Sequence, residues 1–298
     1  TRHGLEEYVS DCVIVLDHRV GDQISTRRLR ITKYRGSTHG TNEYPFLIDR
    51  GGFSVLPITS VELDYGVSSE RISTGIPNLD TMFSDKGFYR GSSILVSGTA
   101  GTGKTSIACR FVKKSCENGE RCLFMAFEEP SKQIIRNMKS IGIDLEPFVG
   151  QDLLRFKAFR PTFYGLEMHL AVMYKNIEEF SPSVVVLDPI SNLNNVGNKV
   201  DVKLVLMRLT DLLKAKKITS LFTSLIHGSE EVEDPEIGIS SLMDTWIFLR
   251  QNRIRSKRYR GLHIIKSRGM AHSEQERMLL MTEKGLEIAD VYSGEGDG

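Results

Sequence analysis

Gly98 to Thr105 reads GTAGTGKT, with the short apolar run Ser93–Ser97 before it and a stretch of helical periodicity after it. A G-x-x-x-x-G-K-[ST] pattern between a strand and a helix is a phosphate loop. Its glycines let backbone N–H groups close around phosphate oxygens. Its lysine adds positive charge at the β and γ phosphates, and its hydroxyl can ligate Mg²⁺. The pattern predicts ATP and Mg²⁺ as ligands, with Thr99, Ala100, Gly101, Thr102, Gly103, Lys104, Thr105 and Ser106 forming the nucleotide site.

Outward from this loop, short apolar runs alternate with amphipathic stretches, which predicts an α/β fold with a central, mostly parallel sheet flanked by helices. Strands are expected at Ile94–Ser97, Cys122–Phe127, Leu154–Ala158, Val184–Leu187 and Ser220–Thr223. Helical spacing links Ile107, Phe111 and Val112, then Ile134 and Met138, then Leu166, Leu170, Met173 and Ile177, then Val202, Val205, Leu209 and Leu213. After Ser240 the pattern changes to hairpin-like antiparallel strands, Leu242–Leu249, Gly261–Ser267 and Met278–Thr282. The basic run Arg250, Arg253, Arg255, Lys257, Arg258 and Arg260 reads as a solvated hairpin tip in preference to a nucleic-acid contact.

Val184–Asp188 reads VVVLD, an apolar strand ending in a carboxylate. Downstream of a phosphate loop this is the form of a Mg²⁺-linked acid, so Asp188 joins Thr105 as a metal-site candidate. Glu128 and Glu129 follow an expected strand at the carboxyl edge of the sheet, where ligands sit in open α/β folds. A carboxylate there can take the proton of an attacking water or hydroxyl, and Glu128 is the preferred base. A solvated acidic loop is the other reading of the pair.

The chain has 298 residues, a net charge of +1 and 40% apolar residues. It can bury a sizeable core, and its charge leaves no electrostatic footprint for nucleic acid. No apolar run approaches the roughly 20 residues of a membrane span. The four cysteines, Cys12, Cys109, Cys116 and Cys122, form no C-x-x-C pair and read as reduced, packed side chains. A cytoplasmic protein without a membrane partner is expected.

Two stretches match without a gap at an offset of 233, for example 266 − 33. Asp11–Asp17 (DCVIVLD) faces Asp244–Arg250 (DTWIFLR), Ile31–His39 (ITKYRGSTH) faces Ile264–His272 (IIKSRGMAH), and Arg50–Leu56 faces Glu283–Ala289. The repeat predicts that residues 1–56 are the closing strands of an earlier copy, that 57–72 form a linker, and that 73–298 hold the second copy. A second phosphate loop would then lie about 135 residues before Thr1, since 98 − 233 = −135. The repeated K-x-R-G motif, Lys33/Arg35 and Lys266/Arg268, suits phosphate contacts. Lys266 and Arg268 lie far from their own loop in sequence. They are read as reaching a neighbouring subunit's nucleotide, or else as a charge pair on an edge strand.

Arg71–Phe111, LFMAFEEP (Leu123–Pro130), VVVLDPIS (Val184–Ser191), SLMDT (Ser241–Thr245) and IIKSRGMAH together resemble the second ATPase half of the KaiC clock-protein family. Thr26–Phe46 resembles the end of that family's first half. The resemblance covers nearly the whole chain. It implies a RecA-like fold, ATP-dependent assembly into a homo-hexameric ring with ATP between subunits, and an autokinase in the second half. Lys104 and Thr105 would then serve the phosphates and Mg²⁺, Glu128 and Glu129 would be the catalytic acids, and Lys266 and Arg268 would reach a neighbour's ATP. Ser240 and Ser241 stand at the family's two adjacent phosphoacceptors, as Ser-Ser where its best-known members have Ser-Thr. Asn195 stands where the family carries a basic residue. Regulators of the KaiA and KaiB kind are implied as partners, although the long tail and first half that bind them are little represented here. A RecA/RadA-type DNA-dependent repair ATPase and an ATP-gated scaffold are the competing functions.

Overall fold

A computed structural model describes residues 5–21, 24–49, 52–55, 66–226, 238–254 and 257–291. Most of the expected linker, Arg255 and the turn around it lie outside these residues.

Helix α1 (Leu5–Val9) leads into four strands, β1 (Cys12–Gly21), β2 (Ile24–Tyr34), β3 (Tyr44–Asp49) and β4 (Gly52–Val55), which form an antiparallel sheet of their own in that order. A second unit opens with β5 (Arg71–Ile72), whose two residues fall at the end of the expected linker, followed by α2 (Pro77–Thr81) and β6 (Phe88–Tyr89), the partner of β5. Then come β7 (Ser93–Gly98), α3 (Lys104–Glu117), β8 (Cys122–Ala126), α4 (Ser131–Lys139), α5 (Glu146–Gly150), β9 (Leu154–Ala158), α6 (Leu166–Phe180), β10 (Val184–Asp188), α7 (Lys199–Ala215) and β11 (Thr219–Leu225). The chain closes with β12 (Thr245–Ile254), β13 (Lys257–Ser267), β14 (Arg277–Thr282) and β15 (Gly285–Asp290).

The large sheet has nine strands in the order β15-β14-β13-β12-β7-β11-β10-β8-β9. From β12 to β9 every pairing is parallel, and from β12 to β15 every pairing is antiparallel. The inner strands β8 and β10, up to Asp188, are apolar along their length because both faces are covered. Ile94 and Val96 of β7 enter the core under α3 and α4, while Leu95 enters the core under α6 and α7. Strand β10 divides in the same way, with Val184 and Val186 on one side and Val185 and Leu187 on the other.

The expected strands and helices are present with shifted ends: β8 stops at Ala126, one residue short of its expected end, and β12 starts at Thr245 instead of Leu242 and runs on to Ile254. The basic run brackets the end of the β12–β13 hairpin, into which the strands continue: Arg250 and Arg253 lie near the end of β12, and Lys257, Arg258 and Arg260 at the start of β13. Arg250 pairs with Glu276 at 2.6 Å, which removes one of the free cations a nucleic-acid face would need. Cys109, Cys116 and Cys122 are buried free thiols, as expected, but Cys12 is exposed.

The repeat holds element by element. β1–β4 and β12–β15 start at matching positions, for example 245 − 12 = 233 and 285 − 52 = 233. Both hairpins carry a register shift at the same place, Val13/Ile14 and Trp246/Ile247. The copies differ in burial. Ile14 and Leu16 are 53% and 57% exposed, whereas their counterparts Ile247 and Leu249 are 0% exposed. In the second copy Ile247 and Leu249 join the core that also holds Ile107, Ala108 and Phe111 of α3. Side-chain truncation should therefore cost unequal amounts at equivalent positions. Leu249→Ala should destabilise by about 2–5 kcal/mol, and Leu16→Ala by less than about 1 kcal/mol, in denaturant unfolding followed by fluorescence. Equal costs would mean that both faces are covered alike.

Candidate functional site

Strand β7 ends at Gly98, and the chain turns through positive φ at Gly98, Gly101 and Gly103 before α3 begins at Lys104. A methyl group at Gly98 would run into the Leu249 carbonyl of β12, and one at Gly103 into the Met281 side chain of β14. The loop is thus seated against the closing strands, and glycine is required at Gly98 by the backbone contact and at Gly103 by its positive φ. The Thr102 hydroxyl donates to the Thr99 carbonyl at 2.8 Å, which tightens the turn. Ala100 is exposed at its crest and Ser106 is buried on the first turn of α3.

The Lys104 ammonium folds back on the loop, donating to the Gly98 carbonyl at 2.9 Å and the Thr99 carbonyl at 2.7 Å. Burial lowers its pKa to about 8, and the charges of Asp188 and Glu128 partly oppose that shift. The Thr105 hydroxyl donates to Asp188 Oδ2 at 2.9 Å, and the Thr223 hydroxyl of β11 donates to Asp188 Oδ1. Asp188 is buried at the end of β10, and burial raises its pKa despite both hydroxyls and Lys104. The Asp188 carbonyl accepts from the Phe127 amide at 2.8 Å, which ties the end of β10 to the residue before Glu128.

Glu128 is exposed at the carboxyl edge of the sheet, and its charge acts on both Lys104 and Asp188. Glu129 turns away toward α4, accepting from Gln133 Nε2 at 3.1 Å and Asn137 Nδ2 at 3.4 Å. Of the two carboxylates, Glu128 is the one directed at the loop. Arg260, read in the sequence only as part of the basic run, places its Nε on the Gly101 carbonyl at 3.2 Å. No local signal points to that contact, because the two residues are 159 apart in the chain.

These groups fit a Mg²⁺-bound nucleotide. The amino end of α3 offers unpaired N–H groups and the positive end of a helix dipole to an anion. Thr105 Oγ1 and the Asp188 carboxylate form a hard-oxygen pair beside a buried cation, Lys104. Among the described residues no three or more His, Cys, Asp or Glu side chains converge as a metal cage. Mg²⁺ suits such a site, because it takes one or two protein oxygens and completes its shell with phosphate and water.

The remaining predicted residues gather at the other end of the sheet. Ser240 and Ser241 lie in a short 3₁₀ turn just before β12. Lys266 Nζ donates to the Ser240 carbonyl at 2.6 Å, and Arg268 donates to the Ser241 carbonyl at 2.7 Å. Asp244 fixes the turn to β7 by accepting from the Ser93 amide and hydroxyl, both at 2.9 Å, and from Lys214 at 2.9 Å. Ser93 begins β7 and Gly98 ends it, so the serine cluster and the phosphate loop are separated by the length of that strand, roughly 16 Å at 3.3 Å per residue. Asn195 ends a 3₁₀ segment after Asp188 and lines a cleft of about 610 Å³ beside β2 and α7.

Comparison with known proteins agrees with this arrangement. The family model described as ATPase: KaiC matches residues 1–60 and 72–292. The chain is 53% identical over 298 residues to the circadian clock protein KaiC2 of Synechocystis sp., covering 99% of this chain and 52% of that protein. It is 34% identical over 294 residues to the circadian clock oscillator protein KaiC of Synechococcus elongatus, covering 98% of this chain and 56% of that protein. The chain thus spans about half the length of the curated relatives it matches. No helix among the described residues is long and apolar enough to cross a membrane. With a phosphate loop, a strand-end aspartate and closing hairpins in this order on one RecA-like sheet, the chain belongs to the KaiC family of ATPases.

Proposed function

We propose that the chain binds Mg·ATP at the phosphate loop, hydrolyses it, and transfers its γ-phosphoryl group to Ser240 or Ser241 of a neighbouring copy. What carries this reading is the separation of the two clusters. Loop, Asp188 and Glu128 occupy the carboxyl edge of the sheet, while the serines with Lys266 and Arg268 occupy the amino edge. A γ-phosphoryl group at the loop is out of reach of the serines of its own chain. It is within reach of the amino edge of a copy packed against it.

Such head-to-tail packing closes into a ring, and we take the ring to be the hexamer that the family resemblance implies. Lys104 and the amino end of α3 hold the β and γ phosphates. Thr105 and Asp188, with Glu128 beside them, would hold Mg²⁺, which would supply charge neutralisation at the phosphates. Lys266 and Arg268 of the neighbour, already at its serine turn, approach the same γ-phosphate. In the transfer, the serine Oγ forms a bond to the γ-phosphorus, the bond to the bridging oxygen breaks, and ADP leaves. The hydroxyl proton passes to Glu128, as it would from water in hydrolysis.

The repeat supports restricting the acceptor role to the second copy. Lys33 and Arg35 make the same carbonyl contacts in the first copy, at Glu7 and Tyr8, where no serine stands. Residues 1–56 are read as the closing strands of a preceding ATPase copy joined through 57–72 to the copy at 73–298. Because the relatives are named as clock proteins, a role in timing or signalling is proposed, with regulators of the KaiA and KaiB kind as partners. The DNA-dependent reading is not favoured, since Arg250 is ion-paired and Arg260 faces the loop.

Three outcomes test this. Glu128→Gln should lower ATP turnover about 100-fold with little change in nucleotide affinity, measured by steady-state hydrolysis and equilibrium binding. A chain carrying Lys104→Ala with intact serines, mixed with a Ser240→Ala/Ser241→Ala chain with an intact loop, should acquire phosphate on Ser240 or Ser241 by phosphopeptide mapping. An unlabelled acceptor chain would sink transfer between copies. Finally, Lys104 loses its proton in the free protein as pH rises through about 8, and phosphate binding raises that pKa, so the complex holds more protons. ATP affinity should therefore fall as pH rises above about 8. Calorimetry in two buffers of different ionisation heat should show proton uptake there, and none in Lys104→Arg, whose guanidinium does not titrate.

A further inference from the structure

His169 is fully buried on the first turns of α6 and belongs to no part of the mechanism above. Its Nε2 lies 2.6 Å from the Pro161 carbonyl. A carbonyl only accepts, so Nε2 carries the proton and Nδ1 is the bare nitrogen. Nδ1 is buried and has no hydrogen-bond partner. Leaving a buried acceptor unpaired is costly, so an apolar residue would serve simple packing better. Burial lowers the His169 pKa, with the Pro161 and Tyr164 backbone opposing.

What the ring touches is specific. It stacks on Phe159 at 5.4 Å and 18°, and meets Phe127 edge-on at 6.3 Å and Tyr164 edge-on at 5.5 Å. Phe127 also packs edge-on against Phe159 at 5.1 Å. Phe127 is the residue whose amide is tied to Asp188 and whose successor is Glu128. The segment held by His169, Phe159 to Phe163, forms one wall of a cleft of about 210 Å³ whose other wall is Phe127, Glu128, Glu129 and Pro130. Phe163 stands 69% exposed at its mouth.

We propose that His169 is a positioning residue for phosphoryl transfer: by holding the Pro161 carbonyl and stacking on Phe159 it locks the Phe159–Tyr164 turn against Phe127, and so fixes the backbone from which Glu128 projects. This rests on the assignment of Glu128 as the base. The imidazole supplies two things at once, a flat face for Phe159 and a directed N–H for the turn. A base displaced by about 1 Å can lose up to 100-fold in rate without loss of substrate binding. The expected signature is therefore a fall in kcat at constant KM.

The test compares ATP turnover of the full chain with His169→Phe, which keeps the ring but loses the N–H, and His169→Gln, which keeps a donor for the Pro161 carbonyl. His169→Phe should lower kcat on the order of tenfold with KM for ATP within about twofold, and His169→Gln should recover most of the loss. Should His169→Phe fail to fold, Phe159→Leu, at a half-buried site, carries the test with the same kcat loss expected. Wild-type kcat in Phe159→Leu and in the folded His169 variants overturns the inference, as does an equal loss in the Gln and Phe variants. Glu128→Gln is assayed alongside. Full turnover in that variant removes the base itself, whereas a slow Glu128→Gln beside fast His169 variants removes only the positioning role.

Discussion

The geometry of the phosphate site depends on one buried carboxylate. Asp188 joins three elements that the chain brings together from far apart: β10, which carries it, the first turn of α3 through Thr105, and β11 through Thr223. Two hydroxyls and a nearby ammonium do not fully offset its burial, and its pKa is raised. Lys104 is strained in the opposite sense, with its pKa pulled down to about 8 by the same dry surroundings. A carboxylate that resists ionising and an ammonium that resists protonation are both relieved when a cation and an anion arrive together. The proposed Mg²⁺–polyphosphate would bring both charges at once, and bound ions are the largest local charges in such a site.

A parallel sheet has two chemically different edges, and this chain uses both. Ligand groups collect at the carboxyl edge because strand ends and helix amino ends converge there. The amino edge has no such dipoles. It holds instead a charge cluster built by the closing hairpin: Lys266 and Arg268 cap the carbonyls of the serine turn, and Asp244 pins that turn to β7 and Lys214. The length of β7 keeps the two clusters apart, so the proposed transfer would need more than one copy.

The sequence made most of this readable for identifiable reasons. The glycines of the loop are forced by positive φ and by close backbone contacts, so their spacing is a direct print of the geometry. Asp188 is readable because an all-apolar strand leaves its terminal carboxylate conspicuous. The hairpins are readable because they occur twice. Other features were hidden because tertiary contacts decide them. Nothing near Arg260 says that it reaches Gly101, and nothing in Glu128-Glu129 says that the second turns to Gln133 and Asn137. How far β12 and β13 run into the basic stretch was hidden too, because strand length cannot be read from charge. His169 is one histidine on an apolar helix face, and only the Phe127–Phe159 pair beside it gives it meaning.

The two hairpin copies separate what the fold requires from what the chemistry requires. Both keep the bulge, the strand lengths, and a lysine and an arginine donating to two successive carbonyls. Those features are therefore architectural: the K-x-R-G cations brace the turn before the first hairpin strand, whatever side chains that turn carries. At the braced positions one copy has Glu7 and Tyr8 and the other Ser240 and Ser241. The brace leaves these side chains free to vary because it holds only their backbone. A nucleophile placed there is presented at a fixed height above the sheet edge, with two cations beside it. In the proposed reading, the difference between a copy suited to accept a phosphoryl group and one that is not can thus rest on the two side chains carried at the braced positions.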